Sequence, residues 1–281
     1  MNYRHAFHAG NFADVLKHTI LVGLIEALKA KQTPFCYFDT HAGRGRYDLG
    51  GAEATRTGEA ANGIQRLLAS TRAPALLHVY VNLVRALNGG HEELAIYPGS
   101  PLIASLLMRE DDRGILCELE PGEAEFLRSV FRGDARFAVH TRNGYEGMKA
   151  MLPPRQRRGL VLIDPPFEAQ EDEFRTIERA LAEALKSWPT GVYAVWYPIK
   201  LRQHVQPFHR WLARSGFPKV QVAELLLHPD NSALRLNGCG MAIINPPWKF
   251  ERTLAELLPA LQELLAQGRF GQHHIEWLAG A

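Results

Sequence analysis

The sharpest chemical signal in the chain is four consecutive residues, Asp164-Pro165-Pro166-Phe167. They follow the apolar run Gly159–Ile163, which reads as a buried strand. Two prolines cannot continue a sheet ladder, so the strand must stop there. A carboxylate, an unpaired carbonyl and an aromatic ring are then presented together. That set suits an exocyclic amino group on a planar base. Asp164 can accept one N–H bond and the Pro165 carbonyl the other, which draws the nitrogen lone pair out of conjugation with the ring. Phe167 can stack on the base, a contact worth about 1–3 kcal/mol. The base must be unpaired or flipped to reach it.

Other candidates lie where strands are expected to end, because ligands of open α/β sheets bind beyond the carboxyl ends of the strands. Asp39–Gly45 reads DTHAGRG, and Gly43 and Gly45 let the backbone approach a nucleotide-like ligand. The dinucleotide pattern GxGxxG is incomplete, since Asp48 stands three residues after Gly45. A plain turn is the competing reading of this stretch. Glu118 can accept hydrogen bonds from ribose hydroxyls, or simply be solvated. Asn143-Gly144 and Pro198 close two further strands. A second copy of the proline motif, Asn245-Pro246-Pro247-Trp248, ends a strand expected to run antiparallel. It is read as a strand stop with a packed Trp, pointing away from the site.

The elements that carry these residues alternate. Helix Phe12–Lys31 has Val15, Leu16, Ile20, Leu24, Ile25 and Leu28 near a 3.6 period, with Asn11 as its cap. Strands are expected at 35–39, 114–118, 137–141, 159–163, 192–197, 220–227 and 241–244. Helices are expected at 123–131, 145–152, 171–188 and 201–215. This alternation predicts a mostly parallel seven-stranded sheet covered on both faces, with an antiparallel edge strand. Residues 48–96 break the rhythm, with helices expected over 58–68 and 75–87 and a return to the core through 100–109. They are read as an inserted helical subdomain in a core made of 1–47 and 97–281.

Composition bounds the rest. The 281 residues carry 32 Lys+Arg against 30 Asp+Glu, a net +2. The excess lies in residues 1–47, while the insertion is slightly acidic. No apolar run reaches the roughly 18 residues of a membrane span. The first ten residues lack a signal-peptide core. A cytoplasmic protein is therefore expected. Cys36, Cys117 and Cys239 form no CxxC pair and read as small packed hydrophobes. None follows a proline as a cytosine-C5 methyltransferase nucleophile does. His5 and His8 lack a third ligand, so no metal is expected. His273 and His274 read as solvated, and Arg155, Arg157 and Arg158 as a turn or a phosphate contact.

Taken in order, DTHAGRG, Glu118 and DPPF resemble the amino-methylating group of class I S-adenosylmethionine-dependent methyltransferases, which have a Rossmann-like fold. The stretches YRHAFHAGNFADVLKH, DTHAGRGRY, YPGSPLIA, RRGLVLIDPPF and GMAIINPPWK resemble the RlmJ family of 23S ribosomal RNA adenine-N6 methyltransferases over essentially the whole chain. The resemblance implies S-adenosylmethionine as cofactor and 23S ribosomal RNA as substrate, with no membrane partner and a monomeric state. It implies cofactor contacts for Lys17, His18, His41, Gly43, Ser100, Glu118, Asn143, Gly144 and Asp164. It makes Asp164 the catalytic carboxylate, with Pro165 and Phe167, and places Tyr3 and His5 near the target base. The family pattern has Asp where this chain has Asn143, whose amide is expected still to accept from the cofactor's adenine amino group. It has Tyr where this chain has Phe167. A guanine-N2 ribosomal RNA methyltransferase shares the DPPF ending. A nicotinamide dehydrogenase and a non-catalytic RNA-binding module are the remaining alternatives.

Overall fold

The computed structural model describes residues 8–50, 58–70, 73–91, 94–231 and 235–280. Tyr3 and His5 lie outside them. Helix α1 (Phe12–Lys29) is capped by Asn11, whose side chain accepts the Asp14 amide at 2.9 Å. It is apolar on almost every face, and each residue from Ala13 to Ile25 is buried. A helix of that kind belongs in the interior. It packs between the main sheet and the helices of the insertion.

Strand β1 (Cys36–Asp39) follows. Two short strands absent from the sequence reading, β2 (Arg46–Asp48) and β3 (Ile96–Pro98), pair antiparallel and bring together the two ends of the segment between them. In that segment the single helix expected over 58–68 is broken at Gly63 into a 3-10 turn (Glu59–Asn62) and α2 (Ile64–Leu68). Helix α3 (Ala75–Leu87) lies where its period put it and buries Leu77, Tyr80, Val81 and Val84.

The chain then alternates: α4 (Ser100–Leu107), β4 (Arg113–Glu118), α5 (Pro121–Val130), β5 (Phe137–Thr141), α6 (Gly144–Met151), β6 (Gly159–Ile163), α7 (Gln170–Ser187), β7 (Val192–Ile199) and α8 (Arg202–Leu212). It closes with β8 (Val220–Leu226), β9 (Gly238–Ile244), α9 (Phe250–Leu265) and β10 (Gln272–Ala279). The main sheet has eight strands in the order β10-β8-β9-β7-β6-β1-β4-β5. Strands β5, β4, β1, β6 and β7 are mutually parallel, and β9 enters antiparallel between β7 and β8. The strand expected to run antiparallel at 241–244 is thus β9, paired on both sides rather than lying at the edge.

The eighth strand, β10, pairs antiparallel with β8 and forms the edge. It was missed because Gln272-His273-His274 begin it on an exposed rim, so it lacks the apolar alternation of a half-buried strand. His273 and His274 are exposed, as expected.

The inner parallel strands β4, β1, β6 and β7 each face two cores. On β6, Leu160 and Leu162 join the cluster under α1 and α9, while Val161 and Ile163 join the cluster under α7 and α8. This double burial explains the unbroken apolar run of Gly159–Ile163. The three cysteines are buried, and burial pushes the Cys36 and Cys117 thiols up to about 12, so both stay protonated and inert. Trp248 corrects the sequence reading. Its strand does end on the opposite sheet edge, but the indole is 83 % exposed rather than packed. No helix among the described residues is long and apolar enough to cross a membrane.

Candidate active site

The carboxyl ends of β6, β1 and β4 lie side by side, because β1 pairs with both of its neighbours in parallel. This topology gathers Asp164, the 39–45 loop and Glu118. Asp164 receives the Lys17 amine at 2.5 Å on Oδ2. The same amine binds Asp14 Oδ1 at 2.9 Å. Lys17 is 5 % exposed. Burial alone would lower its pKa, but the two carboxylates outweigh that and hold the amine charged, well above the ordinary lysine range. The resemblance assigned Lys17 to the cofactor; here its ammonium group holds Asp164. Asp14, in the first turn of α1, is the other half of the clamp. Its i,i+3 spacing to Lys17 was the available signal.

The Pro165 carbonyl accepts no hydrogen bond among the described residues and stands next to that carboxylate. Phe167 adopts a left-handed backbone with φ of 49°, a conformation that costs a bulky residue about 1–3 kcal/mol. Its ring meets Phe174 and Trp196 edge to face, with centroids at 5.3 and 5.8 Å. Only 7 % of the residue is exposed. Most of the ring is committed to protein contacts, so a base reaches only its outward edge, less than the full stacking face expected. Trp196, unremarked in the sequence, is part of this wall.

The loop after β1 is built around buried charge. Asp39 is fully buried and accepts from the Tyr37 hydroxyl at 2.5 Å, the Ser100 hydroxyl at 2.7 Å and the His41 amide at 3.2 Å. Burial raises its pKa to about 6, with those donors working against the rise. Ser100 therefore reaches the site through Asp39. Burial lowers the His41 imidazole to about 4, so it is neutral near pH 7; its Nδ1 pairs with the Thr40 hydroxyl at 2.8 Å. Gly43 has φ of 58°, and a Cβ there would meet the Tyr47 hydroxyl at 2.5 Å. Its amide donates to Glu118 Oε2 at 2.9 Å, while the Glu120 amide donates to Oε1 at 2.8 Å. Burial raises the Glu118 pKa against those two bonds.

Helix α6 starts against this loop. A Cβ on Gly144 would lie 2.0 Å from the Thr40 carbonyl, so only glycine permits the approach. Asn143 caps the helix, its Oδ1 accepting from the Tyr145 and Glu146 amides at 2.9 and 3.3 Å. That corrects one expectation. The side-chain oxygen is spent on the cap, so the atom left over is the amide nitrogen, a donor. His18 is 1 % exposed, and its Nδ1 pairs with the Tyr97 hydroxyl at 2.7 Å inside the core.

Elsewhere on the sheet, a cleft of about 570 Å³ opens between α8, β8 and β10. Its buried Glu224 is satisfied by Arg202 and the Tyr197 hydroxyl. Among the described residues, no three His, Cys, Asp or Glu side chains are placed to hold a metal ion.

The chain is similar to several known proteins. A family model described as "Ribosomal RNA large subunit methyltransferase D, RlmJ" matches residues 32–279. "Ribosomal RNA large subunit methyltransferase J" of Escherichia coli K12 is 45 % identical over 278 residues, 99 % of both chains. The protein of the same name from Haemophilus influenzae Rd is 43 % identical over 278 residues, again 99 % of both. The crystal structure of protein LPL1258 from Legionella pneumophila superposes with a TM-score of 0.87 at 35 % identity, covering 96 % of this chain and 98 % of that one.

Proposed function

The chain belongs to the RlmJ family of large-subunit ribosomal RNA methyltransferases, and on that premise we propose that it methylates the exocyclic N6 of one adenine in 23S ribosomal RNA, with S-adenosylmethionine as donor. The observation that carries the reading is the clamped carboxylate: Asp164 held by Lys17 and followed in the chain by a Pro165 carbonyl with no partner among the described residues. Two acceptors side by side match the two N–H bonds of an adenine amino group.

The groups around the 39–45 loop suit the cofactor. Glu118 keeps acceptor capacity for a ribose diol beyond its two amide bonds. The Gly43 amide ties the loop to Glu118 at the end of β4. The acids Asp39, Glu118 and Asp164 favour a cationic sulfonium nearby. When bound, S-adenosylmethionine supplies an electrophilic methyl group.

The chain's own residues do the rest. Asp164 and the Pro165 carbonyl aim the amino nitrogen and restore its lone pair. Lys17 holds Asp164 in place, and being held charged it is not the base. Asp164 offers the departing proton a first acceptor. Phe167 and Trp196 wall the base pocket, and the family resemblance assigns Tyr3 and His5, which lie outside the described residues, to the target base. Positioning and electrostatics supply the rate, with no covalent enzyme intermediate. We assign residues 48–96 as an insertion in a core of 1–47 and 97–281, and the working enzyme as a cytoplasmic monomer.

The test incubates the purified protein with an unmodified 23S transcript and S-adenosylmethionine, then digests the RNA for nucleoside mass spectrometry. N6-methyladenosine is expected with the wild type. Asp164→Ala should lose the product while still binding S-adenosylmethionine in calorimetry. Retained turnover in Asp164→Ala, or N2-methylguanosine in its place, would overturn the reading.

A further inference from the structure

We propose that the sheet edge opposite the active site is a second docking surface for the RNA, a stacking platform set among cations; this rests on ribosomal RNA being the substrate. The loops entering β1 and β4 through β8, and the loop leaving β9, gather at this edge. Those loops, residues 30–35, 108–112, 131–136, 152–158, 188–191, 213–219 and 245–249, carry ten basic and four acidic side chains. Two of the acids, Asp112 and Asp134, are already paired with Arg109 and Arg136. The loops of the catalytic edge, residues 40–45, 119–120, 142–143, 164–169, 200–201, 227–237 and 266–271, carry five basic and four acidic. The cationic excess that a phosphate backbone needs therefore lies on the far edge.

The Asn245-Pro246-Pro247-Trp248 motif sits in this edge, unused by the chemistry. It presents Trp248 with 83 % of its surface exposed. The presentation is built into the fold. Asn245 and Lys249, at φ of 52° and 63°, bracket the turn in left-handed conformations that non-glycine residues rarely adopt. The Asn245 amide nitrogen donates to the Pro189 and Gly191 carbonyls, both at 2.8 Å, and its backbone N–H to the Lys219 carbonyl at 2.9 Å. These bonds lock the turn onto two neighbouring loops. Lys249 Nζ lies 3.8 Å from the Trp248 ring centroid, over one face, and leaves the other for a ligand. Arg155, Arg157, Arg214 and Lys219 are exposed on adjoining loops and make no ion pair among the described residues.

A rigid exposed indole beside unpaired cations is the chemistry that holds an unpaired base and its flanking phosphates. It reads no base edge, so it positions RNA without choosing sequence. Strands of five to eight residues separate the two edges by about 17–26 Å. A folded RNA reaches both edges, whereas a short hairpin held at the active site does not.

The experiment compares wild type, Trp248→Ala, Trp248→Phe and Lys219→Gln/Lys249→Gln on two probes. One is the protein-free 23S transcript, and the other a short hairpin cut from it around the methylated adenine. Equilibrium binding is measured by filter retention across salt, separately from methylation. Trp248→Ala should weaken transcript binding about ten-fold, with Trp248→Phe restoring most of it. The double glutamine variant should flatten the slope of log affinity against log salt by about one to two units. Hairpin KM and kcat should stay at wild-type values in every variant. Unchanged transcript affinity and salt slope overturn the proposal. So does a wild-type dimer that Trp248→Ala converts to monomer with RNA binding intact, which would make the surface an interface between copies. Should the wild type bind the transcript through this edge but methylate neither probe, the functional reading fails and the docking surface stands.

Discussion

A buried carboxylate survives only where donors or cations replace its water, and the two acids nearest the chemistry solve this differently. Asp164 has the Lys17 ammonium group. Asp39 has neutral donors, Tyr37, Ser100 and the His41 amide, and its pKa rises to about 6. In an unfolded chain an aspartate titrates near about 3.9. The folded state therefore retains a proton across that interval that the unfolded state has lost. Stability at this site is largest below about pH 4 and falls as pH rises to about 6, by an amount on the order of 3 kcal/mol. Asp39→Asn should remove that part of the slope in urea unfolding followed across pH, and an unaltered slope would count against it. Asp164 was legible in the sequence because two prolines announce it. The role of Lys17 was not, because its partner lies 147 residues away.

Two element ends carry testable consequences. The α6 cap spends the Asn143 oxygen on backbone amides and turns an amide nitrogen outward. Aspartate caps equally well and turns an acceptor outward instead. Asn143→Asp should therefore tighten S-adenosylmethionine binding about ten-fold in calorimetry, by pairing with the adenine amino group, while the thermal midpoint barely moves. Weaker binding would sink that assignment. At the start of α1, Glu59 of the insertion takes His8 Nδ1 at 2.9 Å and Asn11 Nδ2 at 2.9 Å, and the Ile64 amide donates to the Gly10 carbonyl at 2.9 Å. The Glu59 hydrogen bond raises the His8 pKa, although part-burial opposes it. A raised histidine stabilises the latch fully below about pH 6.5, and the contribution fades as pH climbs through the higher folded value. Glu59→Ala should speed amide hydrogen exchange over residues 10–14 and erase its pH dependence. Unchanged exchange would show that the insertion does not hold the N-terminal segment. The helices α1 and α3 were legible from their period, while β2 and β3 were not, since three-residue strands carry too little pattern.

At the scale of the whole molecule, the eight-stranded sheet leaves a local conflict on β8. Gln221 on β8 is fully buried, and neither atom of its amide finds a partner among the described residues. An unmet buried amide costs about 1–3 kcal/mol. Gln221→Leu should raise stability by about that much in urea unfolding at unchanged activity, and a loss would mean that an ordered water serves the amide. The strand–helix alternation, the double-sided burial of Gly159–Ile163 and the strand stop at Asp164-Pro165-Pro166-Phe167 could all be read directly from the chain. Each is a local pattern, set by neighbours a few residues apart. The order of the strands, the entry of β9 between β7 and β8, and the exposed rather than packed Trp248 could not. The net +2 of the composition likewise hid a cationic edge facing away from the site. By itself the sequence determined which residues are chemically competent and which segments are strands or helices. Only the tertiary structure decided that Lys17 clamps Asp164 and which loops share an edge, because those depend on pairings between distant segments that no local propensity encodes.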